Sequence, residues 1–150
     1  MYGFLGTAMT GYYAQGASMS GLPEIIAITN GVNYPEYFGK DILLTKMVGN
    51  TLAVSAKLCV GKEGPLAHSG GNVGVLALYT LPFIDLKFLH NDEKRREFMA
   101  AGASAGVSIA FGATIGGPIF IYEHMWCNPF WRNRLFQWKT FTGCALATLV

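Results

Sequence analysis

GKEGPLAHSGGNVGVLALYTLPFI, residues 61–84, carries the strongest structural signal in this sequence. Gly61, Gly64 and Pro65 interrupt regular backbone, and proline is well tolerated in the first turn of a helix. The residues from 64 to 84 then contain no Asp, Glu, Lys or Arg. A helix needs about 20 predominantly apolar residues to cross the hydrocarbon core of a bilayer. The segment therefore predicts a helix that begins at a glycine-proline break and lies within a membrane.

Two more charge-free windows of similar length flank this segment, residues 1–23 and 98–122. Charged residues make up 13% of the 150-residue chain, about half of the roughly 25% usual in soluble domains. Small residues four apart let helix backbones approach closely. Three glycine pairs have that spacing: Gly70/Gly74, Gly102/Gly106 and Gly112/Gly116. These features predict an all-α membrane protein with short, tilted and broken helices, and a glycine-rich soluble core is the alternative.

The composition also argues against several other classes of protein. A net charge of +2 is too small for an electrostatic footprint on nucleic acid. The three cysteines are too scattered for a disulfide framework, and His124 with Cys127 is too sparse for a zinc site. Ser69 and His68 are adjacent, so they cannot easily present both side chains to one substrate as a hydrolase would. We expect no metal, no cofactor and no enzymatic activity.

Glycine, proline and charge clusters divide the chain into helices. Ser20 is predicted to cap the second helix, and Leu43, Leu44, Met47 and Val48 are predicted to supply the apolar contacts of the third. The predicted helices cover about residues 1–14, 23–30, 41–57, 64–82, 92–111, 115–123 and 130–150.

Two of the breaks have the character of anion sites. Ser20-Gly21-Leu22-Pro23 and Gly61-Lys62-Glu63-Gly64-Pro65 each open a helix after non-helical backbone. A helix start offers free backbone N–H groups and the positive end of the helix dipole. Non-helical backbone at membrane depth is tolerated where it lines a cavity. The pair therefore indicates an anion pathway, unless both breaks are merely helix starts within a packed bundle.

These residues resemble the CLC family of chloride channels and transporters. Residues 61–65 followed by His68 resemble the signature of its eukaryotic members, and residues 20–24 resemble its serine-glycine-isoleucine-proline loop. Further similarities follow in the same order along the chain, at residues 100–107, 111–113 and 115–123. Residues 92–98, 130–131 and 138–139 resemble the late-endosomal and lysosomal branch of the family.

The resemblance implies a fold of two inverted-topology halves around a central anion path, assembled as a homodimer in a lipid bilayer. Residues 1–150 correspond to part of the first inverted repeat, and the second repeat and the CBS domains are absent from them. The implied function is chloride transport, as a voltage- and pH-dependent chloride/proton antiporter. The alternatives are a chloride channel without proton coupling and a non-conducting half-protein with a structural role. The implied membrane is endosomal, lysosomal or vacuolar, with the plasma membrane as the alternative.

The resemblance also implies roles for individual residues. Ser20 and Gly21 would coordinate chloride, and Glu63 would be the gating glutamate, flanked by Lys62 and Gly64. Protonation neutralises a carboxylate that competes with an anion for a helix start, so an anion can enter when it leaves. The resemblance implies structural rather than transport roles for Pro23, Pro65, His68 and Glu123. We expect His68 to be a buried hydrogen-bonding residue.

Four positions depart from the family pattern. Met19 stands where glycine is usual, Thr114 replaces a proline, and Pro118 occupies a place expected for an ordinary helix former. His124 stands where exchangers carry a proton-transfer glutamate and channels an apolar residue. It joins Glu63 as a candidate for the proton path, because imidazole exchanges protons near physiological pH.

Overall fold

The computed structural model describes residues 1–80, 91–125 and 134–149, and every regular element in these ranges is helical. The all-helical prediction is confirmed. Short 3₁₀ turns lie at Gln15–Ala17 and Pro35–Tyr37. The α-helices are α1 (Tyr2–Tyr12), α2 (Leu22–Thr29), α3 (Lys40–Ser55), α4 (Glu63–Thr80), α5 (Asp92–Phe111), α6 (Gly116–Met125) and α7 (Arg134–Leu149).

The charge-free windows do not correspond to single helices. Residues 1–23 contain α1, a 3₁₀ turn and the start of α2, because the small and polar residues between them end the first helix. Residues 98–122 are divided where Gly112 adopts a φ of 63° and closes α5. No helix within the three described ranges has the combined length and hydropathy needed to cross a membrane. The predicted ends at Leu81-Pro82 and Phe130 lie outside the described residues.

The core is a close contact between α4 and α5, which run antiparallel. A Cβ added at Gly70 would overlap the backbone of Gly102, and one added at Gly74 would overlap the carbonyl of Phe98. Side chains would hold the helices apart, so the two glycine pairs permit the approach that their spacing predicted. The third pair was a wrong prediction, since no described part of the chain packs within 4 Å of the Cβ position of Gly112. The buried apolar cluster around this contact comprises Ile25, Ala67, Ala100, Ala103, Val107 and Ile121.

Helix α3 packs on a different face from the one predicted. Leu44 is 63% exposed, and Met47 and Val48 are also exposed. The buried residues are instead Thr45, Lys46 and Gly49. The reason is the small residues where α1 crosses α3: a Cβ at Gly6 would lie 3.6 Å from the Gly49 carbonyl oxygen. Three of the four predicted contact residues, Leu44, Met47 and Val48, therefore face outward, whereas the fourth, Leu43, is partly buried.

The linker between α2 and α3 is tied to the core helices by hydrogen bonds. Arg96 of α5 donates through Nη2 to the Gly31 carbonyl at 3.1 Å and to Asn33 Oδ1 at 3.2 Å. Asn72 of α4 donates through Nδ2 to the Gly39 carbonyl at 3.2 Å. The linker is therefore held against α4 and α5 at both of its ends.

Candidate functional site

The two predicted helix starts lie against each other. A Cβ added at Gly64, in the first turn of α4, would lie 2.7 Å from the Cβ of Ser20. Gly21 lies so close to the ring of His68 that no Cβ fits between them. Gly21, rather than Ser20, occupies the cap position of α2, because its φ of 80° is one that glycine adopts readily. The Ser20 hydroxyl still accepts a long hydrogen bond from the Leu22 N–H at 3.4 Å.

A cavity of about 500 Å³ lies beside this contact, between α1, α3 and the loops that precede α2 and α4. Ser20 lines it from the first helix start, and Gly61 and Pro65 line it from the second. Lys46 reaches it from α3, together with polar side chains such as Thr10 and Asn50. One cavity therefore connects both predicted anion sites with a cationic side chain.

Lys46 is the unusual residue of this cavity. It is only 4% exposed, and its Nζ lies 2.7 Å from His68 Nδ1. No Asp or Glu oxygen of the described residues lies within 4.0 Å of it, and the Glu24 carboxylate of α2 attracts it from farther away. Burying a charge is costly unless it is paired. The cavity therefore contains a positive charge that no neighbouring carboxylate neutralises at contact distance.

His68 connects Lys46 to the rest of the site. It is 1% exposed, its Nε2 lies 3.0 Å from the Tyr37 carbonyl oxygen, and its ring meets Phe38 edge-on at 5.0 Å. A carbonyl oxygen only accepts hydrogen bonds, so Nε2 must carry the proton. In the neutral ring Nδ1 then accepts from the Lys46 ammonium. The two contacts together fix the tautomer of the imidazole.

Glu63 and Lys62 lie at the edge of the site. Glu63 is the first residue of α4 and is partly buried, with its carboxylate folded back beside Gly61 where a Cβ would otherwise stand. Lys62 is exposed, and within the described part of the chain it forms no ion pair with Glu63. Neither side chain is part of the cavity lining, although Gly61 and Pro65 on either side are.

His124 and Glu123 lie apart from this cavity, near the end of α6. Glu123 is exposed, whereas His124 is partly buried. The His124 ring donates through Nδ1 to the Phe120 carbonyl at 2.7 Å and packs on the Phe120 ring with 4.4 Å between centroids. Both of these contacts of His124 are made within its own helix.

Two of the departures from the family pattern, Met19 and Pro118, have local structural explanations. Met19 adopts a φ of 64°, in the left-handed region that glycine enters without cost, which explains why glycine is usual there. Pro118 is the third residue of α6, where its missing N–H would have no intrahelical partner. Pro23, in the first turn of α2, and Pro65, in the first turn of α4, are tolerated for the same reason. Nothing in the structure explains Thr114.

The sequence predicted no role for Lys46 at this site. Its partner His68 is 22 residues away, and no local pattern connects the two. A signal was nevertheless present, because Lys46 is the only charged residue between Asp41 and Lys57. A single lysine within an otherwise apolar helix is a candidate for function. No group of three or more His, Cys, Asp or Glu in the described ranges could hold a metal ion.

Comparison with known proteins gives a consistent result. The family model described as "Voltage gated chloride channel" matches residues 2–150. The putative chloride channel-like protein CLC-g of Arabidopsis thaliana is 38% identical over 96% of this chain and 19% of its own length. Chloride channel protein A of Dictyostelium discoideum is 41% identical over 88% of the chain and 16% of its own length. The human H(+)/Cl(−) exchange transporter 3 is 36% identical over 99% of the chain and 17% of its own length. The chain spans less than a fifth of the length of these relatives.

Proposed function

We propose that this chain forms part of a chloride pathway, because it belongs to the voltage gated chloride channel family and a buried lysine lines its cavity. The names of its relatives include both chloride channels and a chloride/proton exchanger. Since the chain spans less than a fifth of their length, transport is proposed for the complete protein. We further propose that this protein is a homodimer in the lipid bilayer of an endosomal, lysosomal or vacuolar membrane.

The observation that supports the proposal most strongly is the charge of Lys46 in the cavity. The ammonium is buried, and no carboxylate of the described residues lies at contact distance. A small anion that enters the cavity would therefore lower the cost of its burial. The starts of α2 and α4 border the same cavity through Ser20, Gly61 and Pro65. Their dipoles add positive potential without adding a full charge. A cavity with this character favours a monovalent anion such as chloride.

Ser20 and Glu63 have complementary roles in this proposal. Ser20 donates its hydroxyl hydrogen to chloride, with Gly21 exposing backbone at the same helix start. Glu63, supported by Gly64 and the positive charge of Lys62, competes with the anion for the start of α4. A protonated carboxyl group no longer competes, so it moves aside and admits the anion. Opening the pathway is thereby coupled to a proton.

Antiport of chloride and protons is the function we favour for the complete protein. Exchange needs a second proton-accepting group besides Glu63, and His124 occupies the corresponding position. One observation favours the alternative, a channel without proton coupling. His124 Nδ1 is engaged with the Phe120 carbonyl of its own helix, which leaves a single ring nitrogen for proton uptake.

Substitution of Lys46 by Met tests the anion site in the protein expressed from its complete reading frame and purified in detergent. We expect the chloride Kd, measured by titration calorimetry, to rise by about tenfold or more, since interactions with a charged group are worth about 1.5–3 kcal/mol. Lys40→Met is the matched control, because Lys40 is an exposed lysine at the start of the same helix. An unchanged chloride Kd in a folded Lys46→Met protein would contradict the proposed site.

A further inference from the structure

We propose that His68 is a positioning residue that holds the Lys46 ammonium toward the Ser20 loop and thereby sets how tightly the cavity binds chloride. This inference rests on the proposed function. His68 does not line the cavity, so it acts on the anion indirectly, through the Lys46 ammonium, which does. The inference depends on three features: a fixed imidazole ring, an ammonium with N–H groups to spare, and a competing carboxylate.

The His68 ring is fixed by contacts on several sides. Its Nε2–H donates to the Tyr37 carbonyl at 3.0 Å, and Phe38 packs edge-on against it at 5.0 Å. The backbone of Gly21 closes a further side, since no Cβ would fit between it and the ring. A flip of the ring would place a carbon where Nδ1 now faces Lys46 and would lose that hydrogen bond. The acceptor therefore has a defined position beside the Ser20 loop.

This fixed acceptor orients a side chain that is otherwise flexible. A lysine ammonium has three N–H donors on a four-carbon stem. One donor is engaged with His68 Nδ1 at 2.7 Å, which leaves two for the cavity that Lys46 and Ser20 line together. Only the neutral imidazole can do this, because an imidazolium has no acceptor nitrogen.

The competing partner for Lys46 is Glu24 of α2. Its Oε2 is buried and has no hydrogen-bond partner among the described residues, and its charge attracts Lys46. Without the acceptor on His68, the ammonium would turn toward this carboxylate and form an ion pair. The cavity would then lose its unpaired positive charge. His68 thus keeps Lys46 available to an anion by holding it away from Glu24.

Two substitutions of similar size test the two hydrogen bonds of His68 one at a time. In His68→Asn the side-chain oxygen can take the place of Nδ1 and accept from Lys46. In His68→Gln the longer side chain places its amide near Nε2, so it keeps the donor to Tyr37 and loses the acceptor. We expect the chloride Kd of the complete protein in detergent to rise about tenfold in His68→Gln and to stay within about threefold of wild type in His68→Asn.

A coupling experiment separates this inference from the proposed function. If Lys46→Met leaves the chloride Kd unchanged, the proposed function fails. If Lys46→Met weakens binding and His68→Gln weakens it further in the double variant, His68 acts independently and the positioning role is overturned. The positioning role predicts no additional loss in the double variant. It also predicts that Glu24→Gln restores chloride binding to His68→Gln, which a purely structural defect would not allow.

A measurement on the unsubstituted protein covers the case in which the variants do not fold. The nitrogen NMR shifts of a ¹⁵N-histidine-labelled sample report which ring nitrogen carries the proton. We expect His68 to be the neutral tautomer protonated at Nε2, with a hydrogen-bonded and unprotonated Nδ1. A tautomer protonated at Nδ1 would overturn the inference, since Nδ1 could not accept from Lys46.

Discussion

Met19 is in a backbone conformation that its side chain disfavours. Its φ of 64° is in the left-handed region, and its side chain is 83% exposed. The conformation costs about 1–2 kcal/mol for a residue with a Cβ, and the exposed side chain contributes little packing in return. We therefore expect Met19→Gly to raise the free energy of unfolding by about 1 kcal/mol, measured by denaturation of the purified protein in detergent.

Met19→Ala is the control for this prediction, because alanine keeps the Cβ and removes only the exposed side chain. We expect its stability to match that of wild type. Equal stabilisation by Gly and Ala would mean that the exposed methionine side chain, rather than the backbone conformation, is the source of the cost.

We propose that His124 takes part in proton coupling. Its Nδ1–H is engaged with the Phe120 carbonyl, so proton uptake is limited to Nε2 and requires a charged ring in a partly buried place. We expect liposomes with the complete protein to show weak proton movement driven by a chloride gradient, and His124→Glu to increase it. His124→Ala serves as the comparison, and proton movement in it equal to that in His124→Glu would show that protons take another route.

The sequence could predict the local chemistry of single residues better than their long-range partners. Ser20 and Glu63 stand beside glycine and proline, so their places at helix starts follow from neighbours in the chain. The pairing of Lys46 with His68 could not be predicted, because it depends on how α3 packs against α4. The cap of α2 could be predicted only in part. The sequence places the helix start near Ser20, but it does not reveal that Gly21 adopts a left-handed φ and occupies the cap position.

Helices α4 and α5 make a contact that is sensitive to substitution. A Cβ at Gly102 would overlap the backbone of Gly70, and overpacking of this kind typically costs about 1–3 kcal/mol or more. We expect Gly102→Ala to lower the stability of the protein in detergent by at least that amount. The measurement is the midpoint of thermal unfolding.

Gly143→Ala is the matched control, since Gly143 lies inside α7 and none of the residues that the structure describes packs within 4 Å of its Cβ position. Alanine there should stabilise the helix by about 0.5–1 kcal/mol. Destabilisation by both substitutions would show that the loss does not arise from the contact between α4 and α5.

At the scale of elements, the breaks in the chain were predicted and one packing face was not. Glycine and proline near residues 21, 31, 61 and 112 act through their own backbone preferences, so their effect can be read locally. The buried face of α3 is set by the crossing of α1 over Gly49, which a pattern within α3 does not specify. Leu44, Met47 and Val48 therefore point outward, against the prediction, whereas Leu43 is partly buried.

The whole molecule carries many large apolar side chains on its surface. Leu44, Val73, Ile109 and Leu146 are each more than half exposed. Large apolar surface exposed in this way is typical of contact with a membrane or a partner. We expect the protein to sediment with membranes and to remain there after extraction at alkaline pH. Recovery as a monodisperse folded protein in the alkaline supernatant would contradict a place in the bilayer.

At this largest scale the sequence predicted the helical class and the family. Several motifs occur in a fixed order over the whole chain, and each is local enough to be recognised. The shared cavity could not be predicted in the same way, because it is formed by loops from different parts of the chain that meet only after folding. Ser20 and Gly61 are 41 positions apart in the sequence, and they line the same cavity only because the helices pack together.

The antiparallel contact between α4 and α5 has a consequence for the order in which the molecule assembles. Residues 80 and 92, where α4 ends and α5 begins, are close in the chain, and bringing near segments together costs less entropy than joining distant ones. The pair is therefore suited to form early, during synthesis, as a hairpin held by backbone-to-backbone contact. It already carries Glu63 and His68, whereas Lys46 and Ser20 come from helices that dock onto it. The chemistry of the site would then be completed late, by the arrival of α2 and α3 on a surface that is already in place.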